Sequence, residues 1–377
     1  MTDLAVIFAG GGTGGHIFPA LAILEALRVQ RPPDNHAPTQ IHARFVCSDK
    51  PLDAKILTGE HAIPIPARPF GLFQKAMIRL ARTWASNVRT GRDLIAQLRG
   101  DGHAVVLVAM GGYVSPPIVQ AARRERVPIM LVNLDAVPGR ANRWIARRAD
   151  RVLSVAGAGG FDAIAPVVRT QAVFAGAPAD ARTQLGIDPD RPTLFITGGS
   201  QGASTLDRLM IAFTQSRHEA LDGWQVLHQA RPELVLQVAS AYDNAGVHAR
   251  VVPFVDPISA GWGAADLALA RAGAGCVGEV WANRVPAIFL PYPGHRDAHQ
   301  RRNAQPLVCA GGALLSDNHT DASENLRDAG ARLSELLSDA PVRAQMHEAL
   351  KALGPPDGAQ SAARAILELA LEVGRAS

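Results

Sequence analysis

The chain has 377 residues, of which 47% are hydrophobic and 19% charged, with mean hydropathy +0.05. This length and composition suggest two domains with buried cores and exclude a disordered tail or a coiled coil. The 35 glycines and 26 prolines follow no fixed period, which excludes a collagen-like or low-complexity chain. Net charge is +4, divided unevenly: residues 1–178 carry 21 Lys+Arg against 12 Asp+Glu, whereas residues 179–377 carry 17 against 22. The basic half should favour an anionic partner.

Cys47, Cys276 and Cys309 lie far apart and form no CxxC pair. They offer neither a disulfide framework nor a zinc knuckle, and they fit a reducing cytoplasm. The opening MTDLAVIFAGGGTGG has no basic segment before its apolar stretch and meets glycines too early for a signal peptide. No segment reaches the roughly 18 uninterrupted apolar residues of a membrane-spanning helix, so any membrane contact is expected to be peripheral.

Short apolar runs alternate with helical-period segments along the chain, the pattern of parallel sheets wrapped by helices. Strands are expected at 4–9, 42–47, 105–109, 129–133 and 151–155, with amphipathic helices at 19–30, 116–126 and 140–149. The pattern then restarts, with strands expected at 193–197, 224–229, 249–252, 267–270 and 286–291. The fold class is therefore α/β, two doubly wound Rossmann-like domains in succession. Their boundary is placed at Gly176-Ala177-Pro178, giving domains at 1–178 and 179–354. After the break Gly354-Pro355-Pro356-Asp357-Gly358 comes a terminal helical segment, 359–377, expected to pack back on the first domain.

Directly after the first strand stands Gly10-Gly11-Gly12-Thr13-Gly14-Gly15-His16, followed at once by a helix. Glycines at such a turn let an anion approach the main chain, and a helix start offers unpaired N–H groups and a positive dipole end to phosphate. The spacing is neither Walker A nor a clean GxGxxG with an acid closing the second strand. The second domain repeats the device as Gly198-Gly199-Ser200-Gln201-Gly202-Ala203, and again as Arg271-Ala272-Gly273-Ala274-Gly275-Cys276-Val277-Gly278-Glu279. Glu279 follows that loop by about one helical turn, from where a carboxylate can accept both hydroxyls of a ribose. Two domains facing each other with glycine loops at the carboxyl ends of their first strands make the cleft between them the expected ligand site.

The run GGGTGGHIFPALAI, the stretch Gly111-Gly112-Tyr113-Val114-Ser115, the GGSQGA loop, the RAGAGCVGE segment and residues 297–304 (DAHQRRNA) occur in order between about residue 4 and residue 315. Together they resemble the MurG family, peripheral-membrane GT-B glycosyltransferases that transfer N-acetylglucosamine from UDP-GlcNAc to lipid I to give lipid II of peptidoglycan. The resemblance implies that the C-terminal domain holds the donor. Ser200 and Gln201 would line its diphosphate and sugar, Val255 its uracil, Ala274, Gly275 and Glu279 its phosphates and ribose, and Gln300 its GlcNAc hydroxyls. Thr13, Gly14 and Gly15 would face the acceptor diphosphate while also counting among the donor contacts, and Arg271 is a further donor candidate. Gly12, Tyr113, Asp135 and Asn142 would lie on the acceptor side. His16 would be the general base that takes the acceptor C4 hydroxyl proton as the anomeric carbon inverts, a task that suits an imidazole with a pKa near working pH. No metal or other cofactor is expected, the leaving diphosphate being met by loop amides and helix ends.

The implied partners are UDP-GlcNAc, the undecaprenyl-pyrophosphoryl-MurNAc-pentapeptide of lipid I, an anionic membrane surface and other cell-wall synthesis proteins, with no nucleic acid. The implied location is the cytoplasmic face of the inner membrane. Phe70, Leu72, Phe73, Met77, Leu80 and Trp84 at helical spacing, with Lys75, Arg79, Arg82, Arg89 and Arg92 among or after them, read either as a lipid-facing surface or as core.

The chain departs from the family pattern in three places. Val132-Asn133-Leu134-Asp135 replaces a His-Glu-Gln-Asn run, which bears on the acceptor. Asp180 stands for an arginine expected near the donor, for which Arg182 or Arg271 would have to substitute. Asp207 and His299 replace Asn and Gln. These departures leave open a transferase with another lipid acceptor and a non-catalytic paralogue that binds nucleotide sugar. A UDP-GlcNAc 2-epimerase of the same fold would need carboxylates around the sugar, for which Asp135 is the one newly placed candidate.

Overall fold

A computed structural model describes residues 3–30, 40–67, 74–155, 157, 160–200, 202–294 and 298–376, with the backbone alone at helical residues 74–82 and 373–376. The chain divides into two compact units, Met1–Arg169 with Asp357–Ser377, and Thr170–Pro356.

The first unit runs β1 (Leu4–Ala9), α1 (Gly14–Val29), β2 (Ile41–Ser48), α2 (Pro51–Ile56), β3 (Ala62–Ile65), α3 (Gln74–Gly100), β4 (Ala104–Ala109), α4 (Ser115–Arg124), β5 (Ile129–Asn133), α5 (Arg140–Ala146), β6 (Arg151–Val155) and β7 (Asp162–Ile164). Its strands form one seven-stranded sheet in the order β3-β2-β1-β4-β5-β6-β7, and every pairing is parallel. A parallel sheet covered on both faces needs continuous apolar strands, and β1, LAVIFA, is buried at every residue.

The second unit runs α6 (Pro178–Gln184), β8 (Thr193–Thr197), α7 (Ser204–Arg217), β9 (Gln225–Gln229), α8 (Val235–Asn244), β10 (Ala249–Val252), α9 (Ile258–Ala264), β11 (Leu267–Ala270), α10 (Ala274–Asn283), β12 (Ala287–Phe289), α11 (His299–Cys309), β13 (Ala313–Leu315), α12 (Ala322–Ser338) and α13 (Ala340–Ala352). The strand order β10-β9-β8-β11-β12-β13 repeats the connectivity of the first six strands, again all parallel. The last helix, α14 (Gly358–Ala376), belongs to the first unit and packs on α1 and β4, burying Ala362, Ala363 and Ile366 completely.

The units part at residue 169/170, ahead of the Gly176-Ala177-Pro178 boundary read from the sequence. Packing explains the difference. Phe174 lies against Gly263, its main-chain N–H donates to Asn283 Oδ1 at 3.0 Å, and the Asn283 amide donates to the Ala172 carbonyl at 2.9 Å, so the segment before Pro178 is already part of the second core. Three short strands escaped the sequence reading. β3 carries a proline and lies at the sheet edge, where its missing N–H costs no ladder bond, while β7 and β13 are three residues each. The first helix starts at Gly14 rather than Pro19, so the second half of the glycine run forms its first turn.

The apolar-basic stretch resolves only in part. Phe70, Leu72 and Phe73 lie outside the described residues, and Lys75, Met77, Arg79, Leu80 and Arg82 fall on α3 where the backbone alone is described. Trp84 packs on the core, edge-on to Trp144 at 6.2 Å between ring centres, and Arg92 pairs with Glu125 at 2.5 Å. Trp84 is thus part of the core, while Arg92 is half exposed in a surface ion pair. Among the described residues no helix is long and apolar enough to cross a membrane.

Candidate functional site

In an open parallel sheet, ligands bind outside the carboxyl ends of the strands where the strand order reverses. In the first unit that point lies between β1 and β4. The two loops leaving it, 10–13 and 110–114, carry Gly12, Thr13 and Tyr113 of the expected acceptor-side residues. Gly12 adopts φ +87°, and a Cβ there would overlap the Tyr113 hydroxyl. Gly111 adopts φ +95°, and a Cβ there would lie 2.5 Å from Asn142 Oδ1. Glycine at these two positions therefore both permits the turn and lets Tyr113 and Asn142 close over it. Ser115 fixes the second loop from beneath, donating to the Ala9 and Gly111 carbonyls at 2.6 and 2.7 Å and accepting from Gly111 N–H at 3.1 Å.

His16 sits in the first turn of α1, half-buried, its ring over the Gly112 main chain and its Nδ1 3.5 Å from Thr13 Oγ1. Burial pushes its imidazole below the usual value of 6.5, against the opposing pull of Asp135, the Gly11 carbonyl and Asp53. Gly14 and Gly15 occupy the same turn, where main-chain N–H groups have no partner inside the helix. The structure thus brings Gly12, Thr13, Gly14, Gly15, His16, Tyr113, Asp135 and Asn142 to one edge of one sheet.

The divergent run 132–135 changes its meaning in this setting. Val132 and Asn133 are fully buried and Leu134 nearly so. Asn133 braces the loop, donating to the Asp135 carbonyl at 2.7 Å and to Ser154 Oγ at 2.8 Å while accepting from Asn142 at 2.8 Å. Of the four residues, Asp135 alone is part-exposed and acts electrostatically on His16.

Two residues of this site were missed in the sequence. Asp53, wholly buried in α2, accepts from Gly12 N–H, Ser48 N–H and Ser48 Oγ at 2.7, 3.0 and 2.6 Å, so it clamps the glycine loop to the end of β2. Lys50 donates its ammonium to the Gly12 carbonyl at 2.9 Å, setting a cation against the loop. The acid stands five residues beyond the end of the second strand, in the first turn of the next helix.

In the second unit the strand order reverses between β8 and β11. Ser200 is exposed on the loop after β8; Gln201 lies outside the described residues. Gly199 is held from both sides, its N–H donating to Thr197 Oγ1 at 3.1 Å and its carbonyl accepting from Gln229 at 3.0 Å. Ala274 and Gly275 open α10, and Gln300 lies in the first turn of α11 with its Oε1 accepting the Tyr292 N–H at 2.7 Å.

Glu279, further along α10, accepts from Trp262 Nε1 at 2.8 Å, and burial pushes its carboxyl up to about 7. Val255 points into the core against Gly261 and Phe195, so its side chain is not turned toward a base. Arg271 is likewise turned inward. Its guanidinium donates to the Leu290 and Pro291 carbonyls at 3.0 and 3.2 Å and to Thr205 Oγ1 at 2.7 Å, and it remains a cation although burial lowers it to about 10. It braces three carboxyl-edge loops rather than offering a free fork to a ligand.

Neither Arg182 nor Asp180 belongs to this edge. Arg182 binds Asp266 and the Ala264 and Pro189 carbonyls, all preceding strands, at the amino edge. Asp180 accepts the Ala177 N–H at the start of α6. The cavity that Pro178 and Gly176 line is walled by Pro192, Asp266 and Pro286, residues of that same amino edge. Arg182 and the start of α6 that carries Asp180 thus lie at the amino edge of this sheet, opposite its glycine loops. Asp207, too, is spent inside the unit, its carboxylate 3.1 Å from His228 Nε2 while His228 Nδ1 lies 3.0 Å from the Tyr242 hydroxyl.

Two successive Rossmann-like units of one connectivity, each with glycine loops at its reversal point, define the GT-B class of glycosyltransferases. Residues 6–154 match the glycosyltransferase family 28 N-terminal domain, and residues 193–362 match its C-terminal domain. A curated UDP-N-acetylglucosamine–N-acetylmuramyl-(pentapeptide) pyrophosphoryl-undecaprenol N-acetylglucosamine transferase of Mycolicibacterium smegmatis is 35% identical over 99% of this chain and 95% of its own length. The same-named protein of Alkalilimnicola ehrlichii is 34% identical over 97% and 99%. The crystal structure of Acinetobacter baumannii MurG matches 98% of this chain and 100% of its own at 25% identity, with a TM-score of 0.70. The chain belongs to glycosyltransferase family 28, among its MurG-type transferases.

Proposed function

We propose that this chain is an inverting transferase that moves GlcNAc from UDP-GlcNAc to the muramyl C4 hydroxyl of lipid I, giving lipid II, and that it works peripherally at the cytoplasmic face of the membrane that carries this acceptor. The observation that carries the reading is the placement of His16: an imidazole in the first turn of α1, at the reversal point of the first sheet, beside Thr13 and Asp135. With Nδ1 toward Thr13, Nε2 takes the C4 hydroxyl proton while the hydroxyl oxygen attacks the anomeric carbon from the face opposite UDP. The sugar–phosphate bond breaks as the glycosidic bond forms, and the anomeric centre inverts. The glycine loops of the second unit and the helix starts they feed, at α7 and α10, supply N–H groups to the leaving diphosphate, so no metal is assigned a role.

Glu279 takes the ribose hydroxyls in this reading, and its raised pKa gives donor binding a definite pH dependence. A carboxylate accepting two hydroxyl protons is favoured in its ionised form, so binding below about 7 must first expel a proton. UDP-GlcNAc affinity, measured by calorimetry, should fall about tenfold from pH 8 to pH 6, and Glu279→Gln should weaken binding at pH 8 and flatten the profile. A profile equally steep in the variant would assign the titration to another group.

The direct test is GlcNAc transfer from radiolabelled UDP-GlcNAc to a soluble lipid I analogue, with UDP release followed in parallel. Transfer is the expected result. Tight donor binding without transfer would redirect the acceptor to another lipid, with Asp135 as the residue responsible. Neither binding nor transfer would make the chain a non-catalytic relative.

A further inference from the structure

We propose that Asp3, His42 and His103 form a binding site for a divalent late first-row metal ion of the zinc class, at the edge of the first sheet away from its glycine loops. The sheet register brings them together. Leu4 pairs with Ala104, and the Ala104 N–H donates to the Asp3 carbonyl at 2.9 Å, so His103 stands beside Asp3 on one flank of β1. On the other flank His42 pairs with Ala5. Residues 3 and 5 share a face, and paired residues of parallel neighbours point the same way, so both imidazoles and the carboxylate project from one face. Ala5 between them carries only a methyl group, which leaves room for the two rings to meet across the central strand. They stack with centres 4.2 Å apart and planes 25° from parallel.

The chemistry of the trio is that of a metal site. One ligand atom from each residue lies within 4.8 Å of the other two. Tetrahedral zinc with bonds of about 2.0–2.1 Å needs its ligand atoms about 3.3 Å apart and the ion in the plane of each imidazole, so one of the stacked, part-exposed rings must turn about its side-chain bonds to bind. His42 Nε2 is already 3.3 Å from Asp3 Oδ2. The independent observation is at His103: its Nδ1 is buried and has no hydrogen-bond partner among the described residues. In the tautomer with its proton on Nε2 that nitrogen offers a lone pair to a cation, and two imidazoles with one carboxylate suit zinc, leaving a position for water. The six residues of β1, about 20 Å, separate this cluster from the loop that carries His16, so the bound ion acts as a clip on the amino ends of β1, β2 and β4 and takes no part in transfer.

The test uses the untagged full-length chain, stripped with a chelator and dialysed. Saturating zinc chloride should raise its lowest melting temperature by about 4 °C or more, and cobalt(II) should give the intense visible bands of a tetrahedral site at one ion per chain. His103→Gln should abolish both responses with little change in the metal-free melting temperature. Asp3→Asn, which keeps an acceptor for His42, should weaken both and guards against a fold defect in the first variant. No zinc shift and no cobalt bands in the wild type, or responses retained in both variants, would overturn the proposal.

Discussion

His16→Ala should lower turnover by about two to four orders of magnitude while leaving the UDP-GlcNAc dissociation constant nearly unchanged. The donor is assigned to the second unit, so removing an imidazole from the first should strike the chemical step alone. The pH profile provides a second check, with its sign set by the surroundings of His16. A base works only when deprotonated, and burial lowers the pKa of this imidazole, so kcat/KM should be full at neutral pH and fall only below 6.5 as the ring takes up a proton. Asp135 pulls the other way, favouring the protonated ring. Asp135→Asn should therefore move the acid limb to still lower pH. Unchanged turnover in His16→Ala would remove the residue from the mechanism, and a limb that ignores Asp135 would show that the carboxylate acts on the acceptor and not on the base.

Arg182→Leu should destabilise the second unit by about 3 kcal/mol, read by urea denaturation. Three acceptors depend on that guanidinium: Asp266 Oδ2 at 2.7 Å and the carbonyls of Pro189 and Ala264 at 3.0 and 3.2 Å. Asp266 Oδ2 also accepts the Thr193 N–H at 2.7 Å, so the bridge locks the entry to β8 against the entry to β11. Deleting the cation leaves a part-buried carboxylate with one main-chain donor and only the electrostatic pull of Arg343, and the cost is dominated by the loss of its charge-assisted hydrogen bond. Lysine should recover only a fraction, because a point charge cannot span three acceptors set around a planar fork. Under conditions where the variant is folded, UDP-GlcNAc affinity should change by less than about twofold. A large loss of donor affinity would instead place Arg182 at the diphosphate.

The core of both sheets was legible from apolar runs alone: β1, β5, β6, β8, β10 and β11 stand where their sequences put them. Continuous burial leaves β1, β5, β8 and β11 no amphipathic alternative. Legibility failed where long-range packing decides the outcome. Whether Arg182 serves a ligand or the fold depends on Asp266, far along the chain, and Val255 turns inward because Gly261 and Phe195 make a place for it. Asp53 was invisible for the same reason, since its partners at Gly12 and Ser48 become neighbours only once β1 and β2 pair. Motif spacing pointed to the loops at the two reversal points, and the fold alone decided which side chains on them turn inward.

The return of α14 to the first unit bears on how the protein is made. Residues 170–356 form a continuous stretch that can fold on leaving the ribosome, whereas the first unit waits for a helix almost two hundred residues downstream of Arg169 to cover α1 and β4. During that interval a greasy strip beside β4 stays open on the nascent chain, so premature termination ahead of α14 should yield a product that clumps or is degraded even though every residue of its glycine loops has been translated.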